Sequence, residues 1–305
     1  MAAGGTALRT SFPYLFLSKL AYLNSVIFTA FKAMPSVMEQ LFSVERTNNP
    51  KEQFDLVGDL GLFEEMGESE NYPLDEYEET YQKTFTIVDY GLSLRFSEDC
   101  LDDDQVRVTM ERNRLLGKSA FFSREILGAS VFNNGFDATN YPIPDGQALC
   151  DGSHPLADGA TDSNLGAADL DFASLEAARI AFQEQLSHRG NYINAFPKML
   201  LVPLALNTTA FELLKSELRP DTAENAVNAL QQMQLNYGTW HHLTDTDAWF
   251  LLGDKSDYKI KWFDRMTFRV KVSEDIYNDD MLMKAKMRFD YGAIDWRHVW
   301  GSPGA

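Results

Sequence analysis

The sequence predicts an α+β fold: one long amphipathic helix set among antiparallel strands. Three observations carry this. Residues 97–135 hold a helical apolar stripe with no proline to interrupt it. The stretches YKIKWF (258–263), FRVKV (268–272) and MLMKAKMRFDYG (281–292) alternate apolar with polar residues, the period of a strand with one wet face. Residues 136–167 are crowded with Pro142, Pro144, Asp145-Gly146, Asp151-Gly152, Pro155, Asp158-Gly159 and Asn164, so strands there must be short and loops long.

In the long helix, Val106, Met110, Asn113, Gly117, Ala120, Phe121, Leu127 and Val131 form the apolar stripe. Arg107, Arg112, Arg114, Lys118 and Arg124 are read as lying off it. Asp99, Asp102, Asp103 and Asp104 crowd the start, where carboxylates cap free N–H groups and meet the positive end of the dipole. Asn133, Asn134 and Gly135 supply the stop. A helix of about thirty residues is about 45 Å long, well beyond the usual three or four turns. Such a rod can serve as a spine across which other elements pack; it also suits a long surface helix of an ordinary enzyme.

Before it, residues 1–12 are expected to be mobile. A helix over about residues 17–33 ends before Pro35 and turns Leu20, Leu23, Ile27, Phe31 and Met34 inward. A short helix follows in SVMEQLF (36–42). Residues 47–82 change character. Glu64, Glu65, Glu68, Glu70, Asp75, Glu76, Glu78 and Glu79 cluster there, yet Phe54, Leu56, Val57, Leu60, Leu62, Phe63, Tyr72, Leu74, Tyr77 and Tyr81 punctuate the acid. A disordered tail carries few such aromatics. The stretch reads as a two-stranded excursion with an acidic tip, the plainer alternative being a flexible surface loop. Residues 84–96 read as one half-buried strand.

In the second half, Ser174 is expected to cap a helix carrying Leu175, Ala178, Ile180 or Phe182, and Leu186, stopped by Gly190. KMLLVP (198–203) is a short apolar strand ended by Pro203. Thr208 or Thr209 opens a helix with Phe211, Leu214 and Leu218, and residues 219–228 form an exposed loop. AWFLLG (248–253) is a further strand. YKIKWF and FRVKV are taken as two strands with Lys259, Lys261, Arg269 and Lys271 outward. Met283, Ala285, Met287 and Phe289 face inward from the next, whose expected partner is DWRHVWG (295–301).

The chain has 305 residues, enough for one large or two ordinary domains, and 45% of them are apolar, enough for a substantial core. A net charge of −18 repels phosphate and disfavours surface-wide nucleic-acid binding. Cys100 and Cys150 make no disulfide framework, so a reducing compartment is the default. Lys19 and Lys32 bracket an apolar run too short to span a bilayer, with Asn24, Ser25 and Thr29 inside it, and no cleavage site follows. No membrane or targeting segment is therefore expected.

Chemistry is looked for and not found. Gly117-Lys118-Ser119 resembles the end of a phosphate loop, but Arg112 stands where the motif needs glycine, and the triplet lies in a helix. His241, His242, Asp245 and Asp247 are metal-ligand types, yet no further cluster supports them, and a polar turn accounts for them. Asp151-Gly152-Ser153-His154 sets a nucleophile beside a base, but adjacency in a turn is not triad geometry. His188 and His298 stand alone. Asn207-Thr208-Thr209 fits a glycosylation acceptor but has no secretory signal to give it meaning. No catalytic, cofactor-binding or metal-binding residue is assigned, and no cofactor is expected. Long excursions without a convergent site suggest a building block whose loops bind copies of itself.

At this point the chain resembles the major capsid (major head subunit) proteins of Mu-like tailed phages, which have the Hong Kong 97-type capsid fold. The resemblance runs from about Phe12 to Gly304. It is carried by FTAFKAMPSVMEQLF, by DLGLFEEMGESENYPLDEYEETYQKTFTIVDYGLSLRFSED, by the long helix ending VFNNGF, by DGSHPLADGATDSNL, by FPKMLLVPLAL with TAFELLKSELRPDTAENAVNAL, by TDTDAWFLLGD, and by the closing MKAKMRFDYGAIDWRHVWGSPGA. Their order and spacing together are specific.

The resemblance implies an N-terminal arm (1–46), an extended loop with its strands (47–96), a peripheral domain with the spine helix (97–167 plus 276–305) and an axial domain (168–275). It implies a non-enzymatic shell protein that assembles with copies of itself as pentamers and hexamers. That shell encloses double-stranded DNA without binding it specifically and involves no membrane. Scaffolding, portal and decoration proteins would be separate partners. Assembly would take place in the bacterial host cytoplasm and the product would be a virion. Glu64, Glu65, Glu68, Glu70, Tyr72 and Tyr77 on the loop, and Arg107, Arg112 and Arg114 on the helix, are the expected intersubunit contacts. Lys259, Lys261, Lys284, Lys286 and Arg288 are expected to face other subunits or pair within the fold. Two departures stand out. No long scaffold-like segment precedes Phe12, so scaffolding is expected to be separate or removed before Met1, and no pattern marks a covalent cross-link. The rival readings are a cargo-enclosing nanocompartment shell of the same fold, and a soluble metal enzyme using His241, His242, Asp245 and Asp247.

Overall fold

In the computed structural model the described residues are 25–63, 65–68, 71–75, 79–96, 106–217, 227–232, 235–274 and 281–305. The long helix occupies Val106–Asn133, 28 residues. Its buried positions are Asn113, Leu116, Gly117, Ala120, Phe121, Arg124, Glu125, Gly128, Ala129 and Phe132, neighbouring pairs that recur every four residues. Gly117 has no Cβ for a reason, since one there would collide with the carbonyl oxygen of Ile27. The helix ends where expected, with the Gly135 amide donating to the Phe132 carbonyl at 3.0 Å. The aspartates expected to cap its start lie outside the described residues. One expectation fails: Arg124 is buried. It follows Ala120 by four residues and so belongs to the buried face by spacing alone.

The strands are β1 (Ser43–Arg46), β2 (Lys51–Val57), β3 (Glu79–Thr86), β4 (Val88–Phe96), β5 (His154–Pro155) and β6 (Thr161–Asp162). They continue as β7 (Met199–Val202), β8 (Asn236–Thr239), β9 (Trp249–Leu252), β10 (Ile260–Glu274), β11 (Met281–Ala293) and β12 (Val299–Ser302). One sheet has the order β1-β10-β11-β4, and a second the order β12-β9-β7-β8; β2-β3 and β5-β6 pair by themselves. The chain divides into two units, one of residues 1–36, 87–125 and 264–289, the other of residues 37–86, 126–263 and 290–305.

In the first unit, β4 and β11 pair antiparallel from Phe96↔Met281 to Val88↔Phe289. Met283, Ala285, Met287 and Phe289 are buried, as their alternation predicts. Ile27, Phe96, Leu116, Met283 and Ala285 form the core, with Met110, Phe268 and Val270 packed on it. Residues 25–32 are helical, and Phe31 stacks on Phe268 at 4.9 Å between centroids. Two strand boundaries differ from expectation. YKIKWF and FRVKV belong to one strand, β10, because the polar Asp264 between them is satisfied by Arg124 and does not need a turn. The 84–96 stretch breaks instead at Ile87, where the Thr86 amide donates to the Asp290 carboxylate at 2.7 Å.

In the second unit, β7 runs parallel to β8 and antiparallel to β9, and β9 pairs with β12. The DWRHVWG segment therefore supplies a partner to β9, not to β11. All four residues of both strands are buried, although β12 lies at the edge of its sheet. The helix Phe172–Gln183 contributes Phe172, Leu175, Ala178 and Phe182 to this core, and the helix Asn207–Lys215 contributes Ala210, Leu213 and Leu214. The cap of the former is Asp171, not Ser174. Asp171 accepts from the Ser174 amide while the Ser174 hydroxyl engages the Asp171 amide, a reciprocal box. The helix ends seven residues before Gly190, whose φ of +81° serves a separate turn. Phe211 and Ile180 lie exposed, Leu213 taking the inward place expected of Phe211.

Candidate functional site

Among the described residues, the large apolar side chains with the greatest exposure lie at the tip of the β2–β3 hairpin. The hairpin is rooted by apolar and charged contacts together. Its register runs Lys51↔Thr86, Glu52↔Phe85, Gln53↔Thr84, Phe54↔Lys83 and Asp55↔Gln82, then shifts at Leu56 to give Val57↔Glu79. The Leu56 carbonyl, freed by that bulge, accepts from the Thr80 hydroxyl at 2.8 Å. At the root, Phe54 and Phe85 pack on Phe263 at 5.2 and 4.9 Å between centroids. The Lys261 ammonium sits 4.4 Å from the Phe54 ring centre and 2.5 Å from Glu45 Oε1. Lys83 donates to the Ala293 carbonyl at 3.0 Å. Burial pushes the Lys83 ammonium below its ordinary value and pushes the Asp290 carboxyl above its own.

Beyond β2 the described tip residues form neither helix nor strand. Leu60, Leu62, Phe63, Tyr72 and Leu74 are 66%, 77%, 106%, 83% and 96% exposed. Contiguous apolar exposure of this kind marks a surface meant for a partner. A polar clasp shapes it: the Asp75 carboxylate accepts from the Gly61 amide at 2.5 Å and from Arg189 Nη1 at 2.8 and 2.9 Å. Of the residues expected here, Glu65, Glu68 and Tyr72 face solvent. Glu64, Glu70 and Tyr77 lie outside the described residues. On the long helix, Arg112 and Arg114 are exposed, and Arg114 lies 3.5 Å from Glu111. The Arg107 side chain lies outside the described residues.

The strand cations mostly have partners. Lys259 lies 3.9 Å from Asp295, and Lys261 pairs with Glu45. Lys286 lies 2.6 Å from Asp89, which Arg288 also engages. Lys284 is exposed.

The polar clusters do not form a reaction centre. His154 is fully buried, with Nδ1 2.7 Å from Asp145 Oδ2, Nε2 3.0 Å from Asn164 Oδ1, and its ring stacked on Trp296 at 4.4 Å. The Ser153 hydroxyl donates to Asp151, not to the imidazole. Asn164, expected only as a turn residue, has a wider role. Its amide nitrogen reaches the Leu149 and Val299 carbonyls while its oxygen takes the Asp151 amide and faces His154, so one side chain ties the turn-rich segment to β12. An Asn between turns gives no sequence signal of such a role. Cys150 is buried, which pushes its thiol far up and makes it inert. Among the described residues no group of three or more His, Cys, Asp or Glu side chains could hold a metal ion, His241, His242, Asp245 and Asp247 included. Among the same residues no helix is long and apolar enough to cross a membrane.

Residues 80–301 match the family model described as phage capsid protein. A solved structure from Microbacterium phage Oxtober96 is 15% identical with a TM-score of 0.53, covering 89% of this chain and 87% of that one. A virus-like particle from Pyrococcus furiosus is 12% identical with a TM-score of 0.52, covering 92% and 98%. The procapsid of bacteriophage JBD30 is 14% identical with a TM-score of 0.50, covering 95% and 75%. At such identities the likeness is one of fold: a mixed arrangement of helix and sheet shared with phage capsid structures. No curated protein sequence matches the chain.

Proposed function

This chain belongs to the phage capsid protein family and is a major capsid protein that forms the head shell; on that premise we propose that it is of the Mu-like, Hong Kong 97 type and assembles through its β2–β3 hairpin. The exposed tip of that hairpin is the observation that carries the reading, because its five large apolar side chains have no cover in their own unit. In this reading residues 1–46 are an arm, 47–96 the extended loop, 97–167 plus 276–305 the peripheral region and 168–275 the axial region. The sheet β12-β9-β7-β8 ties the last two together through β12.

Copies associate head to tail, so that each loop lies on a neighbour and the contacts close into pentamers, hexamers and a shell. Glu64, Glu65, Glu68, Glu70, Tyr72 and Tyr77 of one copy meet Arg107, Arg112 and Arg114 of another. Exposed pairs are worth only about 0–1 kcal/mol each, but they recur at every copy. The shell encloses double-stranded DNA without gluing to it and carries out no catalysis. Separate scaffolding, portal and decoration proteins would join it, with assembly in the host cytoplasm.

The test is to replace residues 58–76 by a short Gly-Ser linker and examine concentrated protein by sedimentation and negative-stain imaging. The intact chain should form closed shells and the deletion a folded, soluble subunit. Shells at normal yield from the deletion would remove the hairpin from assembly. One alternative is kept, a shell of the same fold that encloses protein cargo. A cargo peptide inside shells purified without any phage genome would favour it.

A further inference from the structure

The sheet β1-β10-β11-β4 ends on β4, a strand of nine residues that pairs with β11 on one side. Among the described residues no strand pairs with its other side. A row of open N–H and C=O groups templates another strand, so native folds blunt such an edge with shortness, bulges, proline or inward-pointing charge. β4 is long, has no proline, and keeps an unbroken register with β11. Its inward-facing residues, opposite the buried face of β11, are Val88, Tyr90, Leu92, Leu94 and Phe96, none of them charged. Val88 and Leu92 stand opposite Phe289 and Ala285, which are 0% and 7% exposed, yet are themselves 46% and 51% exposed. The inward face of the sheet thus reaches its edge with apolar surface still open.

The strand VDYGLSLRF is complementary to itself in reverse. Laid antiparallel on a second copy and centred on Leu92, Val88 meets Phe96, Asp89 meets Arg95, Tyr90 meets Leu94 and Gly91 meets Ser93. Residues opposite each other in antiparallel strands share a face, so apolar meets apolar on the inward side and opposite charges meet on the outward side. A slip of one residue would turn the second copy's inward face outward. A slip of two would separate Asp89 from Arg95 and leave strand ends unpaired. We propose that the free edge of β4 docks β4 of a second copy of this chain about a two-fold axis at Leu92, joining two four-stranded sheets into one. A second copy is the fitting occupant because an isologous contact requires a self-complementary surface. Asp89 is already engaged by Lys286 and Arg288, so main-chain hydrogen bonds and the apolar centre carry the contact, and Arg95 helps to set its register. This contact is separate from the head-to-tail contacts of the hairpin: it closes on a pair instead of propagating.

Leu92→Cys tests the centre in the full chain. Each thiol then stands opposite its own copy at a Cα separation of about 4.5–5.5 Å, within disulfide reach. Oxidised assemblies should give a covalent dimer on a denaturing gel, above the background that Cys100 and Cys150 give in the unaltered chain. Gly91→Cys with Ser93→Cys tests the register. The double variant should give the dimer and each single variant should not, because position 91 meets 93 while like positions lie about 7–8 Å apart. A Cβ at Gly91 lies 3.4 Å from the Ala285 carbonyl oxygen, ordinary contact, so the site accepts the change. Should Leu92→Cys fail to fold, the double variant decides by itself. Shells that give no dimer from either variant would overturn the edge contact and leave the shell-forming reading standing. Dimers from the single variants as readily as from the double would overturn the register. Dimers in solution without shells from the unaltered chain would overturn the shell-forming reading and leave the edge contact standing. Neither dimers nor shells would overturn both.

Discussion

Arg124 and Asp264 form a buried two-point ion pair. Arg124 Nη1 lies 2.8 and 3.1 Å from the two carboxylate oxygens and Nη2 lies 3.1 Å from Oδ2. Both side chains are under 5% exposed. The Arg124 guanidinium also lies 5.8 Å from the Phe289 ring centre, and the Thr267 hydroxyl donates to Asp264 Oδ2 at 3.3 Å. The pair pins the middle of the long helix to the strand β10 within the first unit.

Breaking one side of such a pair leaves an uncompensated buried charge. Asp264→Ala is expected to cost about 3–5 kcal/mol of subunit stability. Arg124→Met combined with Asp264→Leu should lose less than either single change, because it removes both desolvation penalties. Urea unfolding of unassembled subunits measures this. A double variant no better than the singles would show that the pair is not what holds Arg124 in place.

That pair also shows where sequence reading succeeds and where it stops. The helix, the hairpin and the alternation of Met283, Ala285, Met287 and Phe289 were legible because each is a local period imposed by a long-range surface. The hairpin tip was legible because aromatics among so many carboxylates fit neither a tail nor a core. Arg124 was misplaced by residue type: its spacing from Ala120 points inward, but an arginine is read outward unless its partner is known. That partner lies 140 residues away. The same ignorance of partners split β10 at Asp264, hid the wider role of Asn164, and joined β12 to the wrong strand. Polar residues with distant partners are what a one-dimensional pattern cannot see.

Asn113 is the converse case, a polar side chain on the buried face with no hydrogen-bond partner among the described residues. It is fully buried, and neither its amide oxygen nor its nitrogen makes a hydrogen bond. A buried unpaired polar group costs about 1–3 kcal/mol. Asn113→Leu should therefore stabilise the isolated subunit, read as a higher urea midpoint with unchanged slope. If the midpoint falls, the amide is satisfied in solution and the apparent cost is absent.

Asp290 predicts a pH dependence at the hairpin root. Desolvation raises its carboxyl above the ordinary 3.8, against the lowering effect of the Tyr291 and Thr86 amides and of Lys83. Between 3.8 and the raised folded value the folded chain binds the proton more often than the unfolded chain does. Stability from this group therefore falls as pH rises through that window, and above it Asp290 is a net cost. Asp290→Asn keeps an acceptor for the Thr86 amide and removes the titration. The stability of the natural chain relative to the variant should decline from acid toward neutral pH. A relative stability that rises over that range would mean the amides and Lys83 outweigh burial.

The last prediction concerns DNA. In the proposed reading the shell holds packed DNA without adhering to it. Lysines and arginines free on a wall would bind phosphate, each neutralised phosphate releasing counterions. The strand cations are instead largely spoken for: Lys259 by Asp295, Lys261 by Glu45, and both Lys286 and Arg288 by Asp89. Those two cations in turn hold the Asp89 carboxyl below its usual range, led by the Lys286 hydrogen bond. With a net charge of −18 around them, paired cations offer phosphate little. Unassembled subunits should show no salt-sensitive binding to double-stranded DNA in gel-shift titrations up to micromolar protein, on the order of ordinary non-specific affinity at physiological salt. Asp89→Asn releases two cations at once on an exposed sheet face. It should create weak binding whose affinity falls with salt at a slope of about −0.9 per phosphate contacted. Tight, salt-sensitive binding by the natural chain would mean that its cations reach phosphate despite their carboxylates, and would point to a direct role in holding nucleic acid.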